Sequence, residues 1–128
     1  HAAMGRLVLR YFPLILERRQ QQWTRYAQGL KGVRIAQVPA DTRFNHAYFP
    51  LVLESESQLM SVMAGLAEID VLPRRYFYPS LSVLPYLTDT ATCPVAEDLA
   101  PRVMCLPLYH DLKDSDIDRI IARVQALI

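Results

Sequence analysis

The segment Arg74-Arg75-Tyr76-Phe77-Tyr78-Pro79-Ser80-Leu81, ahead of Leu84-Pro85-Tyr86-Leu87, combines guanidiniums, phenols, a phenyl ring, a hydroxyl and prolines. Arginine supplies fixed, forked donors suited to phosphate or carboxylate. Tyrosine supplies an apolar face with a polar tip. Proline holds such a stretch extended and biases the residue before it the same way. The composition alone reads as an edge strand, aromatics buried and arginines in water. In an extended segment Arg74 and Arg75 point to opposite faces, and Tyr76 and Tyr78 share one side.

Helical and strand patterns alternate irregularly around this segment. Ala2 to about Arg10 has helical spacing, with Met4, Leu7, Val8 and Tyr11 on one side. Pro13 disrupts a helix interior but suits a first turn, so a second helix is expected from Pro13 to Leu30. Its apolar side is Leu14, Ile15, Trp23, Tyr26 and Leu30, and its wet side includes Gln20, Gln21 and Gln22. Gly32 reads as the C-cap. Gly32 to Ala36 is β-like, and Pro39 to Arg43 is a turn carrying Asp41 and Thr42. His46 to Leu53 is the best strand, although Pro50 argues for an edge or a bulge.

Ser55-Glu56-Ser57-Gln58 contains a capping box and opens a helix to about Glu68, with Leu59, Val62, Met63 and Leu66 at helical spacing. Residues 85 to 94, with Thr88, Asp89 and Thr90, read as a polar loop. A short helix is expected from Val95 to Arg102 and a short strand from Val103 to Leu106. A last helix from Ser115 has Ile117, Ile120, Ile121, Val124 and Leu127 on one side. The resulting class is α+β: a small antiparallel sheet with helices packed on one face.

A chain of 128 residues suits one domain, and 52% apolar content marks it as globular. A formal charge of +1 favours neither nucleic acid nor a membrane surface. No apolar run approaches the ~18 residues that a membrane span needs. Cys93 and Cys105 have neither zinc nor disulfide-framework spacing, so reduced thiols and a cytoplasmic setting are expected. No metal site, phosphate loop or nucleophile elbow is present in the sequence.

Several motifs, in order, resemble the DegT/DnrJ-type sugar aminotransferases, pyridoxal-phosphate enzymes of fold type I. They are His1-Ala2-Ala3-Met4-Gly5-Arg6-Leu7, Arg18-Arg19, Trp23-Thr24-Arg25-Tyr26 with Leu30, and Asn45-His46-Ala47-Tyr48-Phe49-Pro50. The late ones are Arg74 to Leu81, Cys93-Pro94-Val95-Ala96-Glu97-Asp98-Leu99-Ala100, Leu106-Pro107-Leu108-Tyr109 and Asp114-Ser115-Asp116-Ile117. Ser80-Leu81 stands where Leu-His is common in that family. The arginine–tyrosine-rich version resembles the subset acting on dTDP-linked keto-6-deoxyhexoses.

This resemblance implies a C-terminal small domain of a fold-type I enzyme, residues 32–128, preceded by a helical segment, residues 1–31, that links to a larger domain. Neither Lys31 nor Lys113 stands where the family keeps its Schiff-base lysine, so the chain reads as a piece without catalytic residues of its own. It also implies pyridoxal phosphate, a nucleotide-sugar substrate, glutamate as amino donor and a homodimer. A related sugar dehydratase and a stand-alone α+β interaction module are the other readings.

The substrate-binding candidates are Arg74, Arg75, Tyr76, Tyr78 and Ser80. One arginine can grip a diphosphate through two parallel bonds; the alternative is a solvated pair at a strand end. A tyrosine can stack on sugar or base, or simply pack in the core. Ser80 can bond sugar hydroxyls or local backbone. Asn45 and His46 are the cofactor-binding candidates, with a structural role for His46 as the alternative.

Overall fold

A computed structural model describes residues 1–76, 78–87 and 91–128. Phe77 of the arginine–aromatic segment, and Thr88, Asp89 and Thr90 of the expected loop, lie outside the described residues.

The chain opens with one long helix, α1, Ala2–Gly29, with Pro13 inside it. This corrects the expectation of two helices divided at Pro13. Proline removes the N–H that would bond the carbonyl four residues earlier, here that of Leu9. Residues 2–14 are all exposed, so water reaches the released carbonyl and the helix runs on. Leu30 leaves the helix in an extended conformation, its N–H still bonded to Tyr26 O at 2.9 Å. Gly32, at φ +70°, then takes the left-handed turn that favours glycine.

Strand β1, Arg34–Ile35, pairs antiparallel with β2, Phe49–Val52, which pairs antiparallel with β3, Val103–Leu106. β2 is therefore the middle strand of three, and Pro50 sits in it rather than at an edge. The register explains how. Pro50 lies opposite Cys105, whose N–H and C=O both bond to Arg74 on the other side, at 2.7 and 3.1 Å. The Pro50–Cys105 pair is thus a non-hydrogen-bonded pair of the ladder. The missing N–H of Pro50 faces the β1 side, beyond Ile35 where β1 ends.

Helix α2, Glu56–Ala67, starts where the capping box places it. Ser55 Oγ accepts from Gln58 N–H at 3.1 Å, and Gln58 Oε1 accepts in return from Glu54 N–H at 3.0 Å. Helix α3 spans Pro94–Leu99, and α4 spans Asp114–Gln125 with Asp114 and Asp116 in its first turn, where the helix dipole favours negative charge.

The side chains of Phe49, Leu51 and Leu53 alternate toward one face of the sheet and join Met104 and Leu106 in the core. That face is covered by Tyr26 and Leu30 from the α1 end, Leu59, Val62 and Leu66 of α2, and Ile117, Ile120 and Val124 of α4. Burial of each such side chain contributes roughly 1.5–3 kcal/mol. Pro50, Val52, Val103 and Cys105 turn to the opposite, half-exposed face. The small antiparallel sheet with helices on one face is the expected α+β class. Among the described residues no helix is long and apolar enough to cross a membrane.

Candidate functional site

The arginine–aromatic segment runs along the free edge of β3 and is held at three points. Arg74 bridges Cys105 through both backbone groups. Arg75 is anchored by its side chain. Its Nη2 donates to Glu56 and to Pro101 O, the latter at 2.9 Å; its Nη1 lies 3.8 Å from Met60 Sδ. Ser80, nearly buried, shares a hydrogen bond with Ser82 at 3.0 Å, and Ser82 donates to Glu97 Oε1 at 2.7 Å. Glu97 also accepts from Cys93 N–H at 2.9 Å, and these bonds, Ser82's first, hold its carboxyl below the usual range.

The segment turns at Tyr76 instead of continuing extended. Tyr76 and Tyr78 consequently part company, contrary to the expected shared side. Tyr76 meets Tyr48 edge-on, ring centroids 5.2 Å apart and planes at 72°. Tyr78 lies under the Arg75 guanidinium, whose Cζ is 3.4 Å from the ring centroid. Arg74 and Arg75 diverge as an extended pair should: Arg74 Nη1 donates to Tyr76 Oη at 3.3 Å, and that guanidinium makes no ion pair among the described residues.

A cleft of about 290 Å³ opens beside Arg74, walled by Ala47, Tyr48, Tyr76, Pro107 and Tyr109. Tyr48 enters from the residue before β2; Pro107 and Tyr109 come from the turn after β3. Helix α1 fixes that turn: Tyr26 Oη donates to Pro107 O at 3.0 Å, and Gln22 Nε2 donates to Tyr109 O at 2.8 Å. Burial pushes the Tyr26 phenol well above its ordinary pKa and the Cys105 thiol, at the cleft floor, above its own. An exposed cation beside a pair of tyrosines suits an anionic ligand carrying a flat ring or a sugar. Tyr48 and Tyr109 were not among the sequence candidates, although both stood in quoted motifs; nothing local in the sequence says that the turn after β3 folds onto Arg74.

Asn45 and His46 lie elsewhere. Asn45 Oδ1 accepts from Ala47 N–H at 3.1 Å, an Asx turn. His46 has a left-handed backbone, φ 48°, and its ring packs edge-on against Phe44 at 4.7 Å and Trp23 at 6.0 Å. Burial lowers its pKa. It borders a separate cleft of about 500 Å³ with Gln20 and Thr42. A further polar cleft, about 590 Å³, lies at the opposite end of the sheet between Lys31, Arg34 and Arg102. Among the described residues no three metal-ligating side chains converge.

The profile of the DegT/DnrJ/EryC1/StrS aminotransferases matches residues 1–125. The chain belongs to this family. A dTDP-4-amino-4,6-dideoxy-D-glucose transaminase of Shigella dysenteriae is 30% identical over 99% of the chain and 37% of its own length. The Escherichia coli transaminase of the same name is 26% identical over 94% of the chain and 35% of its length. Among solved structures, the aminotransferase TlmJ of Streptoalloteichus hindustanus superposes with a TM-score of 0.88 at 27% identity, over 98% of this chain and 35% of that one. DesI, solved in the presence of its TDP-sugar product, gives 0.82 at 30% identity, over 98% and 34%. The chain thus spans about a third of the length of these relatives.

Enzymes of this family use pyridoxal phosphate, but the described residues do not assemble a cup for it. The Asn45 carboxamide oxygen is engaged with backbone, His46 is held among aromatic rings, and Lys31 lines a different cleft from either. No step through the cofactor is therefore assigned to these side chains.

Proposed function

We propose that this chain forms the C-terminal lobe of a pyridoxal-phosphate-dependent aminotransferase that moves an amino group from glutamate to the keto carbon of a dTDP-linked keto-6-deoxyhexose. The cofactor supplies the carrier for the amino group, and the residues that bind it lie in the rest of the enzyme. In this reading the lobe closes over the nucleotide sugar and orients it, which contributes through proximity rather than through bond making. Residues 1–31 link to the larger domain, the exposed first half of α1 lies against it, and the working enzyme is a cytoplasmic homodimer.

The observation that carries the reading is Arg74, an exposed guanidinium beside the Tyr48–Tyr76 pair at the mouth of the cleft. Arg74 takes the diphosphate and the tyrosines flank the attached ring. Tyr78 and Ser80 frame the segment from behind. The names of the dTDP-sugar transaminases among the relatives support the same substrate class.

The test uses the full-length enzyme with pyridoxal phosphate, followed by visible absorbance. Glutamate is expected to convert the bound cofactor to its pyridoxamine form, and a dTDP-linked keto sugar to return it. Arg74→Met is expected to leave the glutamate half-reaction intact and to weaken the sugar half-reaction. Cofactor binding without conversion by glutamate, or a sugar half-reaction indifferent to Arg74, would overturn the proposal.

A further inference from the structure

Adjacent arginines at a nucleotide site invite the reading that both hold phosphate. Their surroundings differ too much for that. The Arg75 side chain is 16% exposed. Both donors of its Nη2 are engaged, one with Glu56 and one with Pro101 O at 2.9 Å. Its Nη1 faces Met60 Sδ, and one face of the guanidinium plane is covered by the Tyr78 ring. Its Nε is buried without a hydrogen-bond partner. A two-point grip on a phosphate needs two parallel N–H groups on one open edge, and each such edge of Arg75 includes a committed or buried nitrogen. Among the described residues the Arg74 guanidinium is engaged with Tyr76 Oη alone.

The partners of Arg75 come from three places in the fold. Glu56 opens α2, Pro101 lies between α3 and β3, and Tyr78 belongs to the segment itself. The Glu56 carboxyl is held below its ordinary range by Arg75 first and by a hydrogen bond from Tyr78 second. Together these groups lock the peptide immediately after Arg74 onto two other elements. Arg74 itself is held by its backbone bridge to Cys105.

We infer that Arg75 is a positioning residue: through Glu56, Pro101 and Tyr78 it fixes the segment that presents Arg74 and Tyr76, and it does not touch the nucleotide. This rests on the reading of Arg74 and Tyr76 as the nucleotide-facing pair. A guanidinium is required because one group must satisfy a carboxylate and a carbonyl while lying flat on a ring, which a lysine ammonium cannot do.

The test is a double-mutant cycle in the full-length holoenzyme with Arg75→Met, Glu56→Gln and the pair, with thermal melts to establish folding. Each single variant is expected to raise KM for the nucleotide sugar on the order of tenfold, with the pair no worse than either alone, because both break the same latch. KM for the amino donor stays unchanged. Arg75→Lys is expected to rescue only partly. If Arg75→Met raises KM while Glu56→Gln leaves it at the wild-type value, Arg75 contacts the ligand itself and the inference falls. If the wild-type enzyme fails to bind dTDP, it is the proposed function that falls. The latch is then read from the Tyr78 ring resonances of the 128-residue chain. Equal displacement in Arg75→Met and Glu56→Gln supports it, and no displacement in Glu56→Gln overturns it.

Discussion

The side chain of Gln22 in α1 holds the backbone of Tyr109, more than eighty residues away, by a 2.8 Å bond from its Nε2 to the carbonyl oxygen. The same amide donates to Leu112 O at 2.9 Å, and Gln22 is 1% exposed. One buried amide thus adds a second donor to two carbonyls of the turn between β3 and α4: Tyr109 O also accepts from Leu112 N–H at 3.0 Å and Leu112 O from Arg18 Nη2 at 2.8 Å, and that turn is a wall of the candidate cleft. Gln22→Leu keeps the bulk but removes the tie between α1 and the turn at this position, leaving each carbonyl with its other donor. It is expected to cost about 0.5–1.5 kcal/mol in urea unfolding, the net worth of a hydrogen bond whose acceptor is not left unpaired. No measurable loss would mean that Arg18 and the Leu112 N–H hold the turn without the amide. Because Tyr109 moves with the turn, nucleotide affinity of the full-length enzyme is expected to fall as well.

Gln22 also marks where the sequence stops being informative. It stands in a run of three glutamines beside two arginines, and such a run reads as solvated surface. Only the fold brings a turn 87 residues later over that one position. Features governed by near neighbours were legible: the Ser55–Gln58 cap, strand Val103–Leu106 and the apolar stripe of α4 all formed where their local pattern placed them. The α+β class followed from them. Features that depend on what surrounds an element were not legible. Pro13 survives inside α1 because, among the described residues, no part of this chain packs over that half of the helix, and Pro50 survives in a central strand because its missing N–H faces past the end of β1. At the site, the arginine–tyrosine composition was informative but the division of labour was not. Separating Arg74 from Arg75 required knowing that Glu56 and Pro101 converge on the second of them.

Two glycines lie where helices approach each other, and they are expected to differ. A Cβ on Gly29, at the end of α1, would stand 2.6 Å from Ile121 Cδ1 and 3.0 Å from its Cγ2. Ile121 is in the middle of α4 and packs against the core, so it has little room to yield. Gly29→Ala is expected to destabilise by about 1–3 kcal/mol, the usual cost of overpacking. A Cβ on Gly65 in α2 would collide with Leu127 Cδ1; Leu127 also packs against the core, but it lies beyond the end of α4. It can swing away, and alanine gains up to ~1 kcal/mol of helix propensity over glycine. Gly65→Ala is expected to be near neutral. Paired thermal melts decide, and an equal loss at both sites would refute the argument from the position of the neighbour.

Pro13 offers a test of how far α1 is coupled to the core. Proline in a helix interior costs roughly 3 kcal/mol relative to alanine, so Pro13→Ala strengthens the first half of the helix locally. Residues 2–14 are all exposed, and the buried positions of α1, Gln22 and Tyr26, lie well beyond Pro13. Local opening of that half therefore need not involve the core. Amide exchange around Leu9 to Ile15 of the 128-residue chain is expected to slow, while the unfolding midpoint barely moves. A midpoint several degrees higher would show that the first half unfolds together with the core.

His46 gives a pH dependence with a definite sign. Its ring sits against Phe44 and Trp23, and burial lowers its pKa from 6.5. The unfolded chain therefore takes up the proton more readily than the folded one. By linkage, its contribution to stability is fully present above pH 6.5 and is lost as pH falls through the lowered folded value. Glu56, Glu97, Asp98 and Asp118 also have lowered values, held down by Arg75, Ser82, Arg102 and Arg25 respectively. Their ordinary values are 4.5 for the glutamates and 3.8 for the aspartates, so their contributions are lost only in more acid solution. The interval between pH 6.5 and about 5 thus isolates the histidine. Asparagine tolerates the left-handed backbone at this position and does not titrate. Melting midpoints of the wild type are expected to decline across the interval and those of His46→Asn to stay level. A decline that persists in the variant would assign the effect to another group and would remove burial of the His46 ring as its cause.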